Sequence, residues 1–370
     1  MGTPKIQDDF ARHKASPEIS TKEYVRARNI ELGKWVMARE CVYLDKCFWI
    51  TLRDAHIGRT KDTAAHELLI GLTESVEQGR RVCPISDAIF LELMKQSDSE
   101  TRLATAKLID ELSCGVTLVP NPTRIATEIA HFFHAAIGSK VYPLEVLIWS
   151  KLSYVLGVQH PVVDAFSTED QAIIQKAFFD HMWNVSLQQI LETLGESAPV
   201  FNASPDIAEH LNQGNAAHAH EVKSFAQVYK DEVYGCLELA APIACDVLAE
   251  IEYKATGRPI ARTRQERDIS EKQVHNLLCA AIGKPSAKIA LRTMHLGALF
   301  HAAVRWNRTQ KLVSNDLYDF HHAEAALGYC NIFLTDGPMH TLLEQKHLNL
   351  KEHFPCRVIS RLKEASSWAQ

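Results

Sequence analysis

The chain has 370 residues, 46% of them hydrophobic and 23% charged, enough for one large domain or two and inconsistent with wholesale disorder. A formal charge of −5 and a pI near 6.4 give no global footprint for nucleic acid, so such a substrate has to be met by a local basic patch. Nine cysteines without a C-x-x-C pair fit reduced thiols in a cytoplasm, and exclude a zinc ribbon or a disulfide framework.

The polar first residues, with Asp8 and Asp9, do not read as a signal peptide. The most apolar run, 236–251, is broken by Glu238, Asp246 and Glu250, so neither a spanning helix nor a membrane partner is expected. Residues 1–18 read as loosely ordered. Ile30, Leu32, Trp35 and Val36 give Thr21–Arg39 the spacing of an amphipathic helix, so residues 1–40 form an N-terminal extension. Cys41–Asp45 is a first strand, and Cys47–Leu52 turns into a short helix. Ala65, Leu68, Leu69, Leu72 and Val76 predict a helix over 61–78, stopped at Gly79. Val82–Ile85 is a second strand. Ser86 is placed to cap a helix to about Gln96, and Ser99-Glu100 opens another through Leu112. Val116–Val119 is a third strand, closed by Pro120-Asn121-Pro122. Strands alternating with helices predict a parallel sheet with helical crossovers.

The rhythm stops at residues 123–282, where the spacing predicts helices and few strands, with Gly195–Ala219 as a long polar loop. This block reads as an all-helical insertion. A helix from Pro285 to Trp306 follows, then an acidic helix over 315–327. Asn331–Asp336 is a fourth strand, 337–345 a last helix, and Arg357–Ser360 a fifth strand.

Functional groups in a parallel α/β sheet collect at the carboxyl ends of its strands. Asp45, Glu92, Asp319 and Asp336 take such positions, far apart in the chain. Converging carboxylates cannot all stay ionised without cations, and hard oxygen donors recruit Mg²⁺ or Mn²⁺. Asp45, Glu92 and Asp336 also read as cap, solvated or turn residues, Asp54 and Asp87 could stand in for one of the four, and Asp316 reads first as a helix cap. His321-His322 and His131/His134 lack the third and fourth ligands of a zinc site, although His322 could orient a carboxylate or substrate. Gly283-Lys284-Pro285-Ser286 reads as ordinary capping. Arg258, Arg262 and Arg264 lie in a basic segment diluted by Glu266, Asp268 and Glu271.

Val42-Tyr43-Leu44-Asp45 with Trp49-Ile50, Ile85-Ser86 leading to Glu92-Leu93, and Asp319 followed by Ala326-Leu327 and Leu334-Thr335-Asp336 together resemble the PIN-domain nucleases. The resemblance covers residues 41–120 and 285–360, about half of the chain. It implies a Rossmann-type parallel sheet with flanking helices, here a discontinuous PIN-like domain over 41–122 and 283–362 around the insertion 123–282. It implies a metal-dependent endoribonuclease in which Asp45, Glu92, Asp319 and Asp336 hold Mg²⁺ or Mn²⁺. Asp316, Thr335 and His322 would support the metal or orient substrate. The expected partner is single-stranded RNA, with phosphate contacts sought at Arg80, Arg81, Arg258, Arg262 and Arg264. A homodimer or an inhibitor partner is compatible with the sequence. Two departures keep alternatives open: the length of the insertion, and Lys46-Cys47 after the first acid, where the family usually has a small residue or Asn. The alternatives are a catalytically silent PIN-like nucleic-acid-binding or scaffold protein, and a DNA- or structure-specific nuclease.

Overall fold

Cys41, Val42, Tyr43 and Leu44 carry no helical period and form a strand buried on both faces, β1 (Glu40–Leu44). In this computed structural model, which describes residue 3 and residues 10–163, 165–195, 205–258, 262–307 and 310–370, β1 is central. On one side it pairs with β2 (Arg81–Val82), in register Glu40↔Arg81 and Cys41↔Val82. On the other it pairs with β5 (Ile332–Leu334), in register Val42↔Ile332 through Leu44↔Leu334. β6 (Arg357–Ile359) follows beside β5, giving four parallel strands in the order β2-β1-β5-β6.

Just past β2 the chain runs alongside β3 (Val116–Leu118), with an isolated parallel bridge between Ile85 and Thr117. Parallel neighbours need crossovers, and here helices supply them: Lys46–His56 and Thr63–Glu77 between β1 and β2, Asp87–Met94 and Ser99–Ser113 before β3, Gly337–Leu343 between β5 and β6. The helix Ser314–Tyr329 leads into β5. The mixed α/β class expected from the sequence is present, as a mostly helical chain around a small parallel sheet.

Several elements differ from the sequence reading. β4 (Trp149–Lys151) lies inside the block expected to be helical and pairs antiparallel with β3. Three residues are too few to show a period, and only the neighbouring edge of β3 makes them a strand. The polar stretch expected as a loop contains the helix Pro205–Ala217, because Ala208 and Leu211 reach the main core; its residues 196–204 lie outside the described residues. Within the helical block Phe225–Thr256 is one continuous helix, with Pro242 inside it. Within residues 1–18, Phe10–Ala15 is a helix whose buried His13 meets Asp180 at 2.7 Å; residues 1, 2 and 4–9 lie outside the described residues. Gly79 ends its helix with φ of +69°, as the sequence indicates.

The apolar side chains form two main clusters. The larger surrounds the sheet and also takes Phe179, Trp183, Leu187 and Leu191 from the block 123–282. The second joins the helices Asn121–Ala136, Phe225–Thr256, Arg264–Ala281 and Arg292–Trp306 through residues such as Phe133, Leu237, Leu278 and Met294. The helical block therefore packs partly on the sheet and partly on itself. No helix among the described residues is long and apolar enough to cross a membrane, and all nine cysteines are free thiols.

Candidate active site

The pairing of β1 with β5 sets the carboxyl ends of two central strands side by side, and an aspartate follows each. Asp45 N–H donates to the Leu334 carbonyl at 3.0 Å, which continues the ladder one residue past β1. The Asp45 side chain then joins the two strand ends. One oxygen accepts from Thr335 Oγ1 at 2.6 Å and from the Asp336 N–H at 3.0 Å. The other accepts from the Cys47 and Phe48 N–H groups, so Asp45 is also the N-cap of the helix Lys46–His56. Asp336 caps its own helix through the Met339 N–H at 2.8 Å. Both acids thus have a structural role besides any chemical one.

Glu92 is 3% exposed, on the helix that follows β2. Both of its oxygens are engaged: Lys46 Nζ donates to one at 3.1 Å, and His322 Nε2 lies 2.8 Å from the other. Burial pushes this carboxyl up, but the hydrogen bond and charge of His322, with the charge of Lys46, outweigh it and hold the group below its usual value. His322 is fully buried, and its Nδ1 lies 2.9 Å from the Tyr43 hydroxyl, which meets Ser86 Oγ at 2.6 Å. His322 can donate its Nε2 proton to Glu92, and the Tyr43 and Ser86 hydroxyls continue the chain from Nδ1, with donor and acceptor roles set by the tautomer. Ser86 is spent here and makes no side-chain cap bond, although it occupies the N-cap position.

Asp319 is the least satisfied of the four. Among the described residues no hydrogen bond reaches its carboxylate, and its pKa is pushed up to about 7. Burial is the largest cause, the charges of Glu92, Asp336 and Asp45 add to it, and His322 opposes it. The same cluster acts on the Cys47 thiol: the residue is exposed, but local desolvation of the sulfur with the charges of Asp45, Asp336 and Asp319 pushes the thiol up. The four acids are therefore electrostatic neighbours. As the side chains stand, no group of three or more His, Cys, Asp or Glu among the described residues is arranged to hold a metal ion.

A pH dependence follows from Asp319. A carboxyl with a folded pKa above its unfolded value near 3.9 binds protons more tightly when folded, so its contribution to stability is full at low pH and is lost as pH rises from about 4 through 7. Asp319→Asn is expected to gain on the wild type across that window, by roughly 2–4 kcal/mol at pH 8 relative to pH 4. Urea denaturation at the two pH values measures it; an unchanged gap would mean that this carboxyl does not titrate near neutrality.

Compared with protein families, curated proteins and solved structures, the chain matches none. The reading of the site rests on its own residues.

The remaining candidates divide by position. Thr335 is buried against Asp45, and Asp316 accepts from the Val313 N–H at 2.8 Å, as a cap would. Asp54 is paired with Arg53, and Asp87 accepts from the Asn121 N–H. Arg80 and Arg81 lie where β2 begins, opposite the start of β1, and so at the end of the sheet away from Asp45. Arg81 is also held by Glu40, Ser75 and the Ala369 carbonyl. Arg258 lies after the helix Phe225–Thr256, and Arg262 and Arg264 where the next helix begins; all three are exposed and none is brought to the acids by a contact. His131 Nε2 meets the Tyr142 carbonyl at 3.2 Å.

Sequence reasoning missed the roles of Tyr43, Ser86 and Lys46. Tyr43 alternates on a buried strand and signals only core. Lys46 looks like a partner for the adjacent Asp45, yet as the first residue of the helix it turns to Glu92. No local pattern carries either contact.

Proposed function

We propose that this chain is a divalent-metal-dependent nuclease of PIN type acting on RNA, with its site at the adjoining ends of β1 and β5. The observation that carries this reading is a set of four neighbouring acids, Asp45, Glu92, Asp319 and Asp336, whose mutual charge helps hold the Asp319 carboxyl near neutrality. The donor set fits Mg²⁺ or Mn²⁺ in kind, since it is all carboxylate oxygen, and Asp319 lacks any other partner among the described residues. Asp45, Asp319 and Asp336 would hold the ion, with Glu92 as a fourth acid. Divalent metal bound there supplies charge neutralisation at a phosphodiester and a lowered pKa for an attacking water. The residues around it do the positioning. Thr335 and the Asp336 N–H fix one face of Asp45, and His322 with Lys46 fixes Glu92. The helices of 123–282 would select substrate or partner.

Purified protein incubated with single-stranded RNA and Mn²⁺ tests the reading, with single-stranded DNA as the competing substrate. Cutting that requires the metal and prefers RNA is the expected result; cutting that prefers DNA moves the assignment to a DNA nuclease.

A second reading, a nucleic-acid-binding or scaffold protein without catalysis, is favoured by one observation. Both Glu92 oxygens are already engaged by Lys46 and His322. Calorimetric titration with Mn²⁺ separates the two: RNA retained with no heat of metal binding supports the second.

A further inference from the structure

Resting on the reading that the carboxylate site meets nucleic acid, we infer that Lys46, Lys95 and Tyr318 form a strand-binding edge beside the acids, where a single-stranded nucleic acid sets its phosphates on the two ammonium groups and a base on the ring. Four acids on a chain of net charge −5 repel an anionic strand, and protein cations beside them offset that repulsion along the length of strand a metal at the acids does not reach. The arginines sought for this purpose are elsewhere: Arg81 is tied down at the opposite end of the sheet, and Arg80 Nε meets Gln78.

Lys46 and Lys95 are in the right place. Lys46 directly follows Asp45, keeps 37% of its side chain exposed, and is steadied by Glu92 at 3.1 Å. Lys95 ends the helix Asp87–Met94, and the charges of Glu92, Lys46 and Asp319 all act on it. Its ammonium stands 3.6 Å from the centroid of the Tyr318 ring. Tyr318 immediately precedes Asp319, is partly exposed, and also senses Glu92 and Lys46. The edge therefore combines the two elements of sequence-tolerant single-strand binding, cations for the backbone and an aromatic face for a base. A counter-ion role for Lys46 alone would leave the Lys95–Tyr318 pair at the same acids unexplained.

The test is fluorescence anisotropy with labelled oligouridine in EDTA, so that cutting plays no part, over a range of salt concentrations. Lys46→Met and Lys95→Met are each expected to reduce the slope of log K against log salt by about 0.7, the value for one lost phosphate contact on a single strand. Tyr318→Leu should weaken binding roughly 5- to 150-fold with an unchanged slope, and Tyr318→Phe should restore it. Thermal melts of each variant guard against misfolding. Unchanged slopes in folded variants, wild-type affinity for Tyr318→Leu, or no binding by the wild type at low salt would overturn the inference. The nuclease reading fails separately: binding that responds to these variants, without metal-dependent cutting, leaves the edge standing and removes the nuclease. Cutting that ignores them does the reverse.

Discussion

If the chain cleaves RNA as proposed, Asp45→Asn is expected to lower that metal-dependent cleavage by roughly 100-fold or more while leaving the chain folded. The variant is informative because Asp45 has two separable roles. As the N-cap of Lys46–His56 it accepts from the Cys47 and Phe48 N–H groups, and Asn caps as well as Asp. As a carboxylate it presents its second oxygen to Thr335 and the Asp336 N–H. An Asn that keeps the cap must turn its NH₂ to that side. The Thr335 hydroxyl can rotate to accept from it, but the Asp336 N–H loses its acceptor, at a cost of about 1–3 kcal/mol. Stability should therefore fall modestly and activity greatly. Asp336→Asn should behave alike, and the double variant should be little worse than either single one, because ligands of one site act as a unit. Cleavage rates with Mn²⁺ and denaturation curves on the same preparations are the measurements. Variants that cut as fast as wild type would remove these acids from the mechanism.

The largest expected effect on stability lies outside the site. Glu128 is fully buried between the helix Asn121–Ala136 and the helices on either side of residue 310. Its carboxyl receives the Thr293 N–H, Thr293 Oγ1 at 2.5 Å and the Tyr329 hydroxyl at 2.5 Å, with the Arg124 charge nearby. Arg124 itself is almost fully buried; its Nε donates to Thr293 Oγ1, and its Nη1 has no partner among the described residues. Glu128→Ala strips the acceptor from three donors and leaves Arg124 with Glu324, 4.0 Å from its Nη2, as its acid, which should cost about 3–5 kcal/mol. A fall in Tm of roughly 4–6 °C is the corresponding observable.

Glu128→Gln distinguishes the causes. Burial raises the Glu128 carboxyl, against the pull of Thr293, Tyr329 and Arg124. If the group is neutral when folded, Gln replaces it at little cost. If it is ionised, Gln falls close to Ala. A melt of both variants beside the wild type decides between them, and a Glu128→Ala protein as stable as the wild type would show that the network carries no net stability.

Local signals read well where one residue type answers one local demand. The apolar run at 41–44 dictates a buried strand, the spacing of Ala65, Leu68, Leu72 and Val76 a helix, and Gly79 a left-handed stop. These need only neighbours along the chain. The strand-end positions of Asp45 and Asp336 were legible for the same reason, as was the local bond of Asp316 to Val313. β4 and the helix Pro205–Ala217 were not, because each depends on a surface supplied by residues distant in sequence.

The site follows the same division. By itself the sequence determined which carboxylates terminate strands or border buried helix faces, since that follows from periodicity and polarity. Only the tertiary structure decided that β1 and β5 are neighbours, which sets Asp45 on the Asp336 N–H across 291 residues. It also turned Lys46 from Asp45 to Glu92, placed His322 between Glu92 and Tyr43, and sent Arg81 to the far end of the sheet. Hydrogen bonds and ion pairs act over a few ångströms of space regardless of separation along the chain, so partners of this kind have no local signature.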